Sequence, residues 1–497
     1  MKFALRIVAL VAFLLALAGP SSSLTYLKIW SFDPGVSSTY LGYYYCGGVD
    51  NVGDLNGDGI NEVAAGSYNQ RAVYVLSGSN GSRLATISGS VSYYGMCVSG
   101  GGDVDGDGTP DIAIGTYASS VFEVVSGKTF KVIHSVSGAS YIGWSVAIIG
   151  DLDGDGCSEF VSSNSGGTSS SNVWVYDGST GKVLYSLSLP SGTSGYYFGR
   201  QLGATGDVNK DGVPDFAAGA YQAYPSSGGS SSQGAVILIS GSTMQPIHVG
   251  YGVSSEYLGM SVFKQAIGDV DGDGWLDFGG GSYQSTYSYS YEGVVKVFSG
   301  KNGSLISAHR GTTSSEYMGI NVSGAGDLDG DGLPDVFSGG YQANSGQGVI
   351  RGYSPKNNST VVSVAGETGS EYFGWGVAGM GDINGDGIGD LSGAAPYYSG
   401  SASQGGILRT YISPAPSGTI VIEGGIMATS SLDVTLYMTY KAGDPKATVT
   451  QMAVREAGGK WSSWMTVAAT LAFTLSEGEG LKTVEVQFKD SAGLTSK

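Results

Sequence analysis

The tightest constraint on this chain is a nine-residue acidic segment that occurs seven times. It reads DLNGDGINE at Asp54–Glu62, DVDGDGTPD at Asp103–Asp111, DLDGDGCSE at Asp151–Glu159 and DVNKDGVPD at Asp207–Asp215. It returns as DVDGDGWLD at Asp269–Asp277, DLDGDGLPD at Asp327–Asp335 and DINGDGIGD at Asp382–Asp390. Successive copies start 49, 48, 56, 62, 58 and 55 residues apart. That period suits a four-stranded propeller blade with loops of variable length, each blade burying its apolar face only against its neighbours.

Within each copy, positions 1, 3, 5 and 9 carry oxygen. They are Asp54, Asn56, Asp58 and Glu62; Asp103, Asp105, Asp107 and Asp111; Asp151, Asp153, Asp155 and Glu159; Asp207, Asn209, Asp211 and Asp215. The later copies supply Asp269, Asp271, Asp273 and Asp277; Asp327, Asp329, Asp331 and Asp335; Asp382, Asn384, Asp386 and Asp390. Position 6 is always Gly, which permits a sharp turn. Position 7 (Ile60, Thr109, Cys157, Val213, Trp275, Leu333, Ile388) shares no side-chain chemistry, so its expected contribution is a backbone carbonyl. Alternate oxygens converging on one point suit a hard cation that takes 6–8 oxygen ligands. Up to seven structural Ca²⁺ are therefore expected, with Mg²⁺ disfavoured because it keeps its waters. An EF-hand needs a bidentate Glu at position 12, where this chain has Ala65, Ile114, Ser162, Ala218, Gly280, Ser338 and Gly393. Simple Asn-Gly or Asp-Gly hairpin turns would need one or two such residues, not four at fixed spacing.

Charge follows the same pattern. The loops hold 25 of the 42 Asp and Glu, and the remaining 17 face 24 Lys and Arg. The net charge of −18 thus resides in the loops, and no broad charged face points to nucleic acid or membrane.

The flanks repeat as well. An aromatic-x-Gly element precedes most loops, as in Tyr141-Ile142-Gly143, Tyr197-Phe198-Gly199, Tyr257-Leu258-Gly259, Tyr317-Met318-Gly319 and Tyr372-Phe373-Gly374. A short strand of small residues, a Gly/Ser loop, a strand such as AVYVLSG or AVILISG and a fourth strand such as SLISAHRG follow. This combination resembles the FG-GAP repeat family, the blades of integrin α-subunit propellers and their bacterial relatives, over residues 24 to about 414. The resemblance implies a seven-bladed β-propeller with the calcium loops on one face and the strand 2–3 and 4–1 loops on the other. In repeat 1, Tyr40-Leu41-Gly42 lies 12 residues before Asp54, where the usual gap is 8. The phase of the repeats predicts that Leu24–Phe32 supplies the missing outer strand of the last blade, beside Ile407–Ile412, so closing the ring.

Lys2, Arg6, the apolar run Ile7–Ala18 and Ala16-Leu17-Ala18 predict a secretory signal over residues 1–23, too short for a membrane span. Three cysteines, Cys46, Cys97 and Cys157, are too few for a disulfide framework and read as small buried residues. Ser413-Pro414-Ala415-Pro416 reads as a linker. Beyond it, alternating segments such as SLDVTLYMTY and KTVEVQFKD predict an Ig-like β-sandwich over 415–497, whose last strand is cut short and in which Trp461 and Trp464 serve core or strand packing. The fold class is thus all-β.

No catalytic constellation emerges. His134, His248 and His309 fall in fourth strands of different repeats and read as surface or strand residues, while Glu256, Glu316 and Glu371 recur at one repeat position and read as caps. The strand 2–3 loops are rich in Tyr, Ser and Gly, a composition suited to recognition. Tyr221, Tyr224, Tyr283, Tyr287, Tyr289, Tyr291, Tyr341 and Tyr397 are the candidate ligand face for an extracellular protein or glycan. The expected function is adhesion or ligand recognition with structural calcium; the alternative is an exported polysaccharide-acting glycosidase or lyase on the same scaffold.

Overall fold

In every repeat the second strand is buried along its whole length. A strand covered on both faces needs small or continuously apolar residues rather than alternation. The computed structural model describes residues 5–6, 26–43, 47–117, 119–165, 171–415, 417–422, 428–429, 433–444, 447–476 and 482–496. Cys46 and most of the predicted leader lie outside them; Leu5–Arg6 pair with Ala428–Thr429.

Each repeat forms one four-stranded antiparallel sheet. Blade 1 is typical, running Val49–Gly53, Glu62–Ser67, Ala72–Leu76 and Arg83–Ser88 from the inside outward. The acidic segment joins its first two strands. Blade 7 is assembled from Gly376–Gly381, Asp390–Ala395, Ile407–Ile412 and, as the phase of the repeats predicts, Leu27–Phe32. The N-terminal strand aligns Leu27 with Ile412 and Phe32 with Leu408. Trp30 enters the core between blades 7 and 1 and donates from Nε1 to the Gly78 carbonyl at 2.9 Å.

Separate apolar cores fill the joints between neighbouring blades. One gathers Val52, Val73, Val98 and Ile112 between blades 1 and 2; another gathers Val208, Val236, Val262 and Phe298 between blades 4 and 5. The joints are tight where the second strand ends. A Cβ on Gly339 would lie 1.7 Å from the carbonyl oxygen of Gly374, the glycine of the next aromatic-x-Gly element. Backbone meets backbone there, which is why small residues recur at both positions.

The C-terminal segment forms two three-stranded sheets, 417–422 with 433–441 and 470–474, and 465–466 with 449–456 and 484–490. Val434, Leu436, Met452, Val454 and Phe488 form their shared core. Trp461 and Trp464 are not part of it: Trp464 is exposed, and the two rings lie under Arg455 and Lys489 at 4.3 and 5.3 Å. No helix among the described residues is long and apolar enough to cross a membrane.

Candidate metal loops and the tyrosine face

The seven acidic loops share one backbone path. In each, the N–H of the position-6 glycine donates to the position-1 carboxylate at 2.7–3.0 Å. That glycine has φ between +82° and +90° throughout, the left-handed region closed to most side chains. Position 4 is also left-handed and is Gly except in repeat 4, where Lys210 adopts φ +62°.

Position 9 does a second job beside the one it shares with positions 1 and 3. Its carboxylate is buried and accepts the N–H of position 2 in all seven loops. In five blades its other oxygen accepts from the end of the third strand, at Gly127, Gly178, Gly241, Gly300 and Ser413. Blade 6 has Pro355 at this place, which carries no N–H, and Asp335 Oδ1 is left without a partner. Burial pushes these carboxyls up: Asp111 and Asp215 to about 6, Glu62, Glu159 and Asp277 to about 7, Asp335 and Asp390 to about 8.

Three carboxylates converge in several loops. Oxygens of Asp103, Asp105 and Asp111, of Asp151, Asp153 and Glu159, of Asp269, Asp271 and Asp273, and of Asp327, Asp329 and Asp335 lie within 4.8 Å of one another. Like charges gathered this closely repel unless a cation sits among them. An all-oxygen donor set on a glycine-turned loop fits a hard divalent ion.

The opposite face is built from tyrosine. The first strand begins where the second ends, so the aromatic-x-Gly tyrosine and the tyrosine after strand 2 share one end of the blade. All seven aromatic-x-Gly tyrosines (Tyr40, Tyr93, Tyr141, Tyr197, Tyr257, Tyr317, Tyr372) are left-handed, with φ between +48° and +65°. A bulky residue in this region is costly, and its recurrence in every blade aims the ring across the face. The rings touch in series: Tyr317 to Tyr341 at 5.2 Å, Tyr372 to Tyr397 at 5.0 Å, Tyr397 to Tyr40 at 5.3 Å, Tyr68 to Tyr93 at 5.6 Å and Tyr93 to Tyr117 at 5.3 Å. Tyr117 meets Trp144, whose ring faces Arg200 at 4.5 Å, and Arg200 also lies over Tyr221. The arc thus passes through every blade, from Tyr283 beside Tyr317 to Tyr197 against Tyr221.

Of the eight tyrosines expected to contact a ligand, Tyr287, Tyr289 and Tyr291 are 69, 47 and 48% exposed. Their loop is fixed by Glu292, which accepts from the N–H groups of residues 287, 288 and 289. Tyr221, Tyr283 and Tyr397 are half-buried members of the arc. Tyr341 is buried against Trp375 at 4.1 Å and is a wall of the arc, not a free contact. Tyr224 sits in a two-residue ladder with Ser194. Sequence reasoning missed Tyr40, Tyr68, Tyr93, Tyr117, Trp144, Tyr317, Tyr372 and Trp375. Their signal was present, because a tyrosine recurs in phase at two positions that the blade topology brings together.

The centre of the ring is filled. Gly259 lies 10 residues before Asp269, and the two extra residues push Lys264 inward from blade 5. Its ammonium donates to the carbonyls of Gly47, Val49 and Val98 at 2.7–2.8 Å, in blades 1 and 2. All three donors are satisfied across the channel. Gln265 donates to Asn51 O, and Asn321 of blade 6 donates to Trp375 O. Asp50 is buried here, pushed up to about 6 by burial and held down in part by Lys264; it accepts from the N–H of Gly100.

The recurrent glutamates are caps. Glu256 pairs with Lys296 and Arg310, Glu316 with Arg351, and Glu371 with Arg409 in a bidentate contact of 2.8 and 2.9 Å. Each also accepts backbone N–H groups of its own 4–1 loop. His134 and His248 are half-buried strand residues. His309 departs from that expectation: it is buried against Tyr353 at 4.4 Å, with its pKa lowered to about 4 by burial.

Family comparison agrees with this architecture. A model described as FG-GAP-like repeat matches residues 54–114 and 103–162, and one described as FG-GAP repeat matches 198–239. Integrin alpha-V of Gallus gallus is 30% identical over 165 residues, covering 31% of this chain and 15% of the relative. Integrin alpha-5 of Xenopus laevis is 28% identical over 213 residues, 41% of this chain and 20% of the relative. Integrin alpha-PS2 of Drosophila melanogaster is 29% identical over 232 residues, 42% of this chain and 16% of the relative. The similarity is thus to a minor part of each relative.

Proposed function

Because this chain carries FG-GAP repeats set in an integrin α-like propeller, we propose that it is a secreted calcium-binding protein of the extracellular adhesion or ligand-recognition kind. In this reading residues 1–23 are a leader, 24–414 the propeller and 415–497 an Ig-like module. Calcium is structural. The side chains at positions 1, 3, 5 and 9 and the carbonyl at position 7 of each loop hold the ion, and the position-9 carboxylate also fixes the loop. An ion supplies there the positive charge that lets three or four carboxylates share one turn.

The observation that carries the reading is the polarity of the molecule: acidic loops at one end of every blade and, at the other, an aromatic arc bridged once by Arg200. Tyrosine offers large, stiff, amphipathic contact area at low entropic cost. The partner is an extracellular protein or glycan that docks on this arc, with Tyr287, Tyr289 and Tyr291 as its most exposed contacts. The competing reading, a polysaccharide-acting enzyme, draws on the raised pKa of Asp50 in the channel. Against it, Asp50 is only 3% exposed beneath the Lys264 bridge.

Calcium content of the mature chain, measured with its melting temperature before and after chelation, tests the proposal. About seven ions and a steep fall on chelation support it. No ion and an unchanged melting curve overturn it.

A further inference from the structure

The tyrosine face is almost free of charge in a chain that is not. Arg71 and the buried Glu292 are the charged residues of the strand 2–3 loops 68–71, 117–120, 164–172, 221–233, 283–292, 341–347 and 397–404, and among the described residues Arg200 is the one cation set within the arc itself, over Trp144 and Tyr221. The carboxylates of the adjoining 4–1 loops are engaged. Glu256, Glu316 and Glu371 are no more than 1% exposed within their ion pairs, Glu367 is held by Lys28, and Asp33 accepts from the N–H and hydroxyl of Ser401. What the face offers instead is aromatic surface bordered by Ser, Thr, Asn and Gln, groups that both donate and accept.

Among the described residues, the inner edge of the face is packed. Trp144, Tyr341 and Trp375, at its inner edge, are 4–7% exposed, and Lys264 bridges the channel beneath them. A protein partner gains most from one aromatic or arginine anchor sunk in a desolvated pocket. An acidic partner would meet only the scattered Arg71 and Arg200, and a basic partner would find the neighbouring carboxylates already engaged.

Resting on the recognition role proposed above, we infer that this arc binds an uncharged glycan, lying along the tyrosines as an extended chain. A sugar ring presents an apolar C–H face and a rim of hydroxyls. The first packs on the aromatic planes, and the second needs donors and acceptors together. A series of similar aromatic surfaces suits a polymer of similar units. Because no ion pair forms, salt leaves the affinity unchanged.

The test uses the full mature chain loaded with calcium and titrated calorimetrically with hexasaccharides of glucan, mannan, xylan and galactan, and with a polygalacturonate fragment. Binding of at least one neutral hexasaccharide is expected, with affinity constant within about twofold between 0.05 and 0.5 M salt. Tyr93→Asn, which keeps a residue tolerant of the left-handed backbone, combined with Tyr117→Ser should weaken binding by about tenfold or more, each stacked ring being a contact of roughly 1 kcal/mol. Tyr287→Ser/Tyr289→Ser/Tyr291→Ser is the second variant, because its residues are exposed and leave the fold intact. No binding of any neutral hexasaccharide, binding of polygalacturonate alone, or equal affinity in both variants overturns the inference. Extracellular matrix before and after periodate, which cleaves sugar diols, separates the two levels. Loss of adhesion after periodate supports the glycan. Tyrosine-dependent adhesion that survives periodate overturns the glycan and leaves the recognition face standing. Adhesion indifferent to the tyrosines overturns both.

Discussion

The two ends of each blade obey opposite rules. At the acidic end every loop has nine residues, the same left-handed glycine and the same carboxylate clasping the same N–H. At the aromatic end the strand 2–3 connections vary widely, from Tyr68–Arg71 to Tyr221–Gln233, while a tyrosine follows strand 2 in every blade but the third, where Asn164 and Ser165 follow it. The cation proposed for these loops would fix distances between oxygens, so the loop could not lengthen. A stacked ring fixes only the residue that bears it, and the chain beyond is free to vary. The difference teaches that repetition fixes the whole loop at one end and only the ring-bearing residues at the other.

Chelation is the harshest challenge to that contrast. Seven sites, each held at about a hundred times its dissociation constant, contribute on the order of 2.7 kcal/mol apiece, so the melting temperature should fall by about 20 °C or more in chelator, read by calorimetry. An unmoved transition would reduce the acidic loops to ordinary turns and erase the distinction between the ends. Deleting residues 24–32 comes next. The deletion removes Trp30 from the core between blades 7 and 1 and bares the edge of Ile407–Ile412, at a cost of about 5 kcal/mol or more in urea unfolding.

Arg409→Met probes the aromatic end alone. It strands Glu371, 1% exposed, and should cost about 3–5 kcal/mol even in saturating calcium. Lys28→Met breaks the exposed pair with Glu367 and should cost less than about 1 kcal/mol.

A pH titration needs His309 set aside before it reports on the acidic end. In the fold this imidazole titrates near 4, against an ordinary 6.5. Between those values the unfolded chain takes up a proton that the fold refuses, so this group's own contribution to stability falls as pH falls, by roughly 3 kcal/mol across the window, opposite in sign to the raised loop carboxyls of chelated protein. His309→Leu should abolish that limb in chelated protein and leave the pH 8 stability equal or higher. The neighbouring repeats already place Ile87, Val136, Leu187 and Val364 there. The smallest effect on stability belongs to Tyr287→Ser/Tyr289→Ser/Tyr291→Ser. Less than about 1 kcal/mol is expected, alongside weakened partner binding.

Much of this was legible because it repeats. Seven acidic segments announce seven blades, and their phase alone places Leu27–Phe32 beside Ile407–Ile412. The second role of position 9 was hidden, since Asp converging on a metal site and Asp also clasping a backbone N–H look alike in sequence. The tyrosine arc was half visible. The loop tyrosines stood out by composition, whereas those of aromatic-x-Gly read as framework until topology set them side by side. Lys264 was the least legible. Its meaning lies in an offset of two residues and in carbonyls of blades 1 and 2, which no local pattern connects to blade 5. His309 looked like its strand-4 counterparts; two places further along the strand it keeps their face, toward the next blade, but sits deeper, against Tyr353.

The exit of the chain from blade 7 has a mechanical consequence. Ser413 gives its N–H to Asp390 and takes the amide of Asn384 on its carbonyl, both residues of the seventh acidic loop. Traction on the segment that follows therefore reaches that loop first. The seventh site becomes the coupling through which a tether would haul on the propeller, and the tyrosines, at the far end of every blade, would be turned outward by the same pull.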